Sequence, residues 1–155
     1  MVARVLTAAV AGATRVNVGS RLLELRFQAD PQRLKMVREQ VQQAAAQLDL
    51  SKKLVSDLII AVNEACMNII EHAYKGDHSG EIVLEINNNE GELEVVLTDF
   101  AEPVDLAGIR PRELDELRPG GLGTHFMNEI MDKCAYAHLQ GQCGNVLRMT
   151  KRLDA

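Results

Sequence analysis

The sequence predicts an α+β fold: a two-layer α/β sandwich with helices packed on a mixed sheet. Three observations carry that prediction. Apolar residues alternate with a period of two in several short segments, which marks half-buried strands. Two helical patterns stand side by side between the first and second of those segments. The resulting order is strand, helix, helix, strand, strand, long loop, helix, strand, strand. Hairpins outnumber strict strand–helix alternation, which disfavours a doubly wound parallel sheet. At 155 residues the chain has room for one domain and hardly for two.

Each element has local grounds. Residues 21–28 place Leu23, Leu25 and Phe27 on one side and Glu24 and Arg26 on the other, a half-buried strand. Asp30-Pro31 supplies a helix N-cap and a first-turn proline. Leu34, Val37, Val41, Ala45 and Leu48 follow at three-to-four spacing, so 31–48 is expected as an amphipathic helix. Ser51 can cap a second helix over 52–74. There Leu58, Val62, Ala65, Cys66, Ile69 and Ala73 share one arc of about 100°, and Glu64, Asn68, Glu71, His72 and Lys75 share the opposite one. Gly76 to Gly80 ends that helix. Ile82, Leu84 and Ile86, a turn over 87–91, and Leu93, Val95 and Leu97 make a hairpin with one buried face, ending at Asp99. The segment 102–119 holds three of the chain's four prolines and is expected as a long functional loop. Gly120-Gly121-Leu122-Gly123 then opens a helix through Leu122, Phe126 and Ile130. Residues 134–140 and 145–153 are two closing strands around a Gly141–Gly144 turn.

Composition limits what such a domain does. Lys and Arg number 17 against 22 Asp and Glu, a net charge of −5, which disfavours nucleic acid as a partner. Three Phe, two Tyr and no Trp provide no aromatic platform for stacked bases, so the core falls to Leu, Ile, Val, Ala and Met. Cys66, Cys134 and Cys143 have neither framework nor zinc spacing. They read as free thiols of a reducing cytoplasm, although Cys134 and Cys143 can face each other across the closing hairpin. Residues 5–13 are apolar but too Ala-rich for a good signal-peptide core, and no run approaches the ~18 residues of a membrane span. Residues 1–16 are expected as a flexible tail or an edge strand, and 17–155 as the single domain.

Three constellations carry chemistry. The Gly120–Gly123 turn opens a helix, where unpaired backbone N–H groups and the helix dipole favour an anion. It lacks the Gly-Lys-Ser/Thr ending of a P-loop, and many such turns are only loop-to-helix joints. Glu64 and Asn68 lie one turn apart on a polar helix face. An Asn oxygen suits Mg²⁺ and a Glu can act as general base, but most polar helix faces are simply solvated. His72 follows Glu71 without the spacing of a zinc helix. Asp99, at a strand end, can accept from an exocyclic amine or cap the loop that follows it.

Taken together, these pieces resemble one family. Asn63-Glu64-Ala65-Cys66-Met67-Asn68-Ile69-Ile70-Glu71-His72-Ala73-Tyr74 resembles the N-box of the GHKL (histidine-kinase-like) ATPase superfamily. The run Asp99 to Asp105 resembles its first glycine box. Gly120 to Gly123, with the helix through Met131-Asp132, resembles its second. The version is that of bacterial anti-sigma-factor serine/threonine-protein kinases, and the likeness spans about residues 20–153.

The resemblance implies a GHKL fold that binds ATP with Mg²⁺ and transfers phosphate to protein. It implies that Asn68 coordinates the metal, that Glu64 assists attack on the γ-phosphate, and that Asp99 meets the adenine amine. Gly120, Gly121, Leu122, Gly123 and the adjacent Thr124 would wrap the phosphates, Ala101 and His72 complete the nucleotide-binding set, and 102–119 would form the lid. It further implies an anti-sigma-antagonist (STAS-like) substrate protein, a sigma factor or other output protein held in complex, a homodimer, and no nucleic acid or membrane. Two positions depart from the pattern. Ala101 replaces a Gly, so its methyl crowds the pocket or strains the backbone if that position needs φ > 0. Val104 replaces a common Phe. These departures motivate an alternative, a non-catalytic ATP-binding or partner-binding module.

Overall fold

The computed structural model describes residues 19–105 and 127–153. The expected tail or edge strand over residues 1–16, the glycines from 120 to 123, and the expected helix start at Leu122 and Phe126 lie outside them. So does the part of the expected lid from 106 onward, with Arg110, Arg112 and Arg118.

Strand β1 (Ser20–Gln28) leads into a short 3-10 turn (Pro31–Arg33) and helix α1 (Leu34–Ala45). The Asp30 side chain accepts from Gln32 N–H, and Pro31 occupies the first turn, so the expected cap is in place. Helix α2 (Lys52–Asn68) is capped by Ser51, which accepts from Leu54 N–H. It does not run on as α-helix to residue 74. A π-turn (Ile69–Ala73) takes over directly after Asn68, and Lys75 and Gly76 at φ 52° and 84° close it. Strands β2 (Glu81–Asn89) and β3 (Glu92–Asp99) form the hairpin. Its turn is tighter than the expected 87–91. Glu90 and Gly91, at φ 51° and 87°, make a two-residue turn that matches strand twist. The ladder therefore continues through Asn87, Asn88 and Asn89. Residues 127–130 are helical, and β4 (Lys133–His138) and β5 (Asn145–Arg152) complete the described elements.

The strands lie in the order β1-β2-β3-β5-β4. Helices cover the sheet, so the two-layer sandwich is as expected. Every neighbouring pair among the described strands is antiparallel; the parallel component of a mixed sheet is not seen among them. The reason is topological. Two helices between β1 and β2 return the chain to the end of the sheet it left, and the other pairs include two hairpins.

One continuous core joins the layers. Leu25, Phe27, Ile82, Leu84, Ile86, Leu93, Val95, Leu97, Leu147 and Met149 face Leu34, Val37, Val41, Leu58, Val62, Ala65 and Cys66. Phe27 is the one aromatic side chain fully inside it among the described residues, as the composition requires. The hairpin is not buried on one face alone. Val83 and Val96 are buried too. Their cross-strand neighbours are Arg26 and Arg148, whose heads reach Glu81 (2.8 Å) and Glu94 (2.6 Å), so long aliphatic stems cross the valines. Cys66, Cys134 and Cys143 are free. Cys134 pairs across the ladder with Met149, and Cys143 lies in the loop, so the disulfide across that hairpin does not form.

Candidate functional site

The central strand β3 ends at Asp99. Its neighbours at that end of the sheet are Ile82 on β2 and Asn145 on β5, and Asn145 is paired in turn with His138 on β4. Asp99 is 3% exposed, an uncommon place for a carboxylate. Two hydrogen bonds compensate, both on Oδ1: from Ala101 N–H (3.0 Å) and from Asn145 Nδ2 (2.9 Å). Burial still pushes the Asp99 carboxyl above its ordinary value, against the pull of donors from Asn145 and Ala101. The Ala101 bond spans two residues, an Asx-type turn that bends the chain away from the sheet.

That turn answers the backbone half of the question set by Ala101. Among the described residues, the non-glycine positions with positive φ are Lys75 and Glu90. Ala101 is buried, but its backbone has a conformation any L-residue adopts, so the methyl carries no left-handed penalty. The chain beyond is fastened at three further points. Asn145 Nδ2 donates to Glu102 O (3.1 Å), Asn145 Oδ1 accepts from Val104 N–H (2.9 Å), and His138 Nε2 lies 2.8 Å from Val104 O.

Helix α2 meets this end from the other layer. Glu64 and Asn68 are half-buried. Asn68 Nδ2 lies 3.7 Å from Met127 Sδ, which ties the polar face of α2 to the residue that begins the described helix after the glycine segment. Tyr74, just past the π-turn, reaches the Asp99 loop. Its O–H donates to Glu81 O (2.6 Å) and accepts from Phe100 N–H (2.8 Å). The structure thus gathers the end of α2, the end of β3, Met127 and the start of β5. His72 is exposed on the π-turn. A wide turn adds about one residue to α-helical register, yet Ile69 stays in the core with Ala73 packed against it, and Glu71, His72 and Lys75 are exposed, as the two arcs expected. Gly120, Gly121, Leu122, Gly123 and Thr124 lie outside the described residues.

Sequence reasoning missed Asn145, Tyr74 and His138. One signal was available for Asn145, since it follows a glycine at a strand start, where a glycine often marks close backbone approach. Gly144 has φ 152°, and a Cβ there would sit 2.5 Å from the Asp99 carbonyl oxygen. Gly80 has the same logic: a Cβ would overlap the Tyr74 ring.

Comparison with known proteins follows the same lines. The family model for the histidine kinase-like ATPase domain matches residues 27–151. The serine-protein kinase RsbW of Bacillus subtilis is 31% identical over 140 residues, which is 85% of this chain and 86% of that protein. RsbW of Listeria innocua is 34% identical over 118 residues, 71% of this chain and 75% of that protein. Among solved structures, the RsbU and RsbW domains of a Mycobacterium tuberculosis protein match with a TM-score of 0.61 at 19% identity, over 84% of this chain and 31% of that one. The histidine kinase domain of a blue-light activated kinase from Erythrobacter litoralis matches with a TM-score of 0.56 at 16% identity, over 93% and 67%. At these identities the two structures speak to the fold.

Proposed function

Since this chain belongs to the histidine kinase-like ATPase domain family, we propose that it is an ATP-dependent protein serine/threonine kinase of the anti-sigma-factor type. The observation that carries the reading is the buried Asp99 carboxylate, held on one oxygen at the end of the central strand. A buried acceptor placed there suits the exocyclic amine of adenine, which offers a donor without needing a charge. Aliphatic walls then hold the base, since aromatic side chains are scarce. Among the described residues no three carboxylate, imidazole or thiolate groups converge as a metal cluster. The amide oxygen of Asn68 would serve a hard cation such as Mg²⁺, which takes its other oxygen ligands from phosphates and water. Bound Mg²⁺ would supply neutralisation of phosphate charge.

Glu64, one turn before Asn68 on α2, is the residue assigned to take the proton from the attacking Ser or Thr hydroxyl. The hydroxyl oxygen bonds to the γ-phosphorus, the bond to the ADP oxygen breaks, and ADP leaves. The partners we assign are a STAS-like antagonist protein as phosphoacceptor and a sigma factor or other output protein held in complex, with the kinase as a homodimer in the cytoplasm. Among the described residues no helix is long and apolar enough to cross a membrane. Ala101 does not favour the non-catalytic alternative, because its backbone is unstrained and its N–H serves Asp99.

The test is transfer of radiolabelled phosphate from Mg²⁺-ATP to a STAS-like antagonist domain. Glu64→Gln is expected to lose about 10²–10⁴-fold in transfer rate with ATP affinity unchanged. Transfer by the variant at the wild-type rate, or none by wild type, would overturn the assignment.

A further inference from the structure

Asn145 stands outside every segment that the family resemblance brings to the nucleotide, yet it makes three of the hydrogen bonds at the site. We propose that Asn145 is a positioning residue for base selection: it aims the Asp99 carboxylate so that the site prefers a purine with a 6-amino group over one with a 6-oxo group. This rests on the reading that Asp99 meets the base.

The argument is one of rotation. A carboxylate at the end of an sp³–sp² torsion turns broadly, and a freely turning Asp99 would present either oxygen, at varying angles, to whatever donor arrived. Two donors converge on Oδ1, Asn145 Nδ2 at 2.9 Å and Ala101 N–H at 3.0 Å, and the Asn145 backbone N–H also acts on the carboxylate. Asn145 itself cannot turn. Its second amide hydrogen is held by Glu102 O at 3.1 Å, and its oxygen takes Val104 N–H at 2.9 Å. Flipping the amide would set its oxygen against the Asp99 carboxylate and the Glu102 carbonyl, and its NH₂ against an N–H. The network therefore specifies the orientation of the amide as well as its place. Burial at 5% exposure keeps water from substituting for any of these partners. Gly144 permits the approach, since a side chain there would strike the Asp99 carbonyl. The consequence is a carboxylate held in one orientation. A 6-amino purine donates to it, whereas a 6-oxo purine sets an acceptor against an acceptor.

The experiment compares equilibrium binding of ATP and ITP to the full chain, before and after Asn145→Ala. Wild type is expected to prefer ATP by about 10- to 150-fold, the worth of a hydrogen bond to a charged group. In Asn145→Ala the ratio is expected to fall about 3- to 10-fold. A residue that only braces the loop would weaken both nucleotides in proportion and leave the ratio intact, and that result would overturn the proposal while leaving the Asp99 reading in place. A wild type without preference would overturn the Asp99 reading and this proposal with it. Should Asn145→Ala fail to fold, Asn145→Ser is read on the same ratio. That hydroxyl can still donate to Asp99, so a smaller fall than in Asn145→Ala is expected, and a ratio that falls as far with Ser as is expected with Ala would overturn the proposal.

Discussion

Asp99→Asn separates what the site does for stability from what it does for binding. Asn keeps the shape of Asp, and its Oδ1 can still accept from Ala101 N–H and Asn145 Nδ2. Two things change. A buried charge disappears, and a donor replaces the acceptor that would meet the base. For binding, the loss is a hydrogen bond to an ionised group, about 1.5–3 kcal/mol, which raises the Kd for ATP about 10- to 150-fold. For stability the sign is opposite. Burial holds the Asp99 carboxyl above its ordinary 3.8, so folding favours the protonated form. The stability this group contributes is complete below about pH 4 and is lost as pH rises through the raised value. The neutral amide does not suffer that loss. The variant should therefore melt above wild type at pH 7, each kcal/mol recovered adding about 2–4 °C, and the gap should close toward pH 4. Calorimetric titration and melting curves at pH 4, 5.5 and 7 check both halves. Unchanged ATP affinity would refute the binding argument, and a gap that stays constant with pH would refute the electrostatic one.

Two other perturbations test the scaffold around that carboxylate, and a labelling experiment tests the core. Tyr74→Phe removes the hydroxyl that joins Glu81 O to Phe100 N–H and should cost about 1–3 kcal/mol in urea unfolding; an unchanged midpoint would show that water replaces it freely. Gly144→Ala places a methyl 2.5 Å from the Asp99 carbonyl oxygen and should cost about 1–3 kcal/mol together with ATP affinity, read by melting and titration on the same sample. Cys66 is fully buried and its thiol is pushed up to about 12 by desolvation, whereas Cys143 is exposed. A thiol reagent at pH 8 should label Cys143 in the folded protein and reach Cys66 only on unfolding, with peptide mapping to identify each site.

Much of the molecule was legible one residue at a time. Period two located β1 and both strands of the hairpin, three-to-four spacing located α1 and the core stripe of α2, and Asp30 and Ser51 cap the helices where the chain says they should. Element ends were less so. The turn at Glu90 and Gly91 is two residues long because positive φ at both lets strands pair to the last Asn, and no local preference of Asn87 for turns outweighs that ladder. The π-turn after Asn68 has no composition of its own to read. It arises where α2 must end with Ile69 and Ile70 inside the core and Tyr74 turned to Phe100.

The sequence by itself determined the strands and helices in order, the aliphatic core stripes and the placement of Glu64 one turn before Asn68, because each depends on spacing within single elements. Periodicity and one-turn proximity are local properties. It could name Asp99 as an acceptor but not decide between a base and a loop cap. Only the tertiary structure decided how that carboxylate is held, that the Ala101 backbone carries no left-handed strain, and that Asn145, 46 residues away, donates to it. Those are consequences of strand order. When β5 enters between β3 and β4, it sets Asn145 opposite Asp99, and no pattern along the chain records which strands become neighbours.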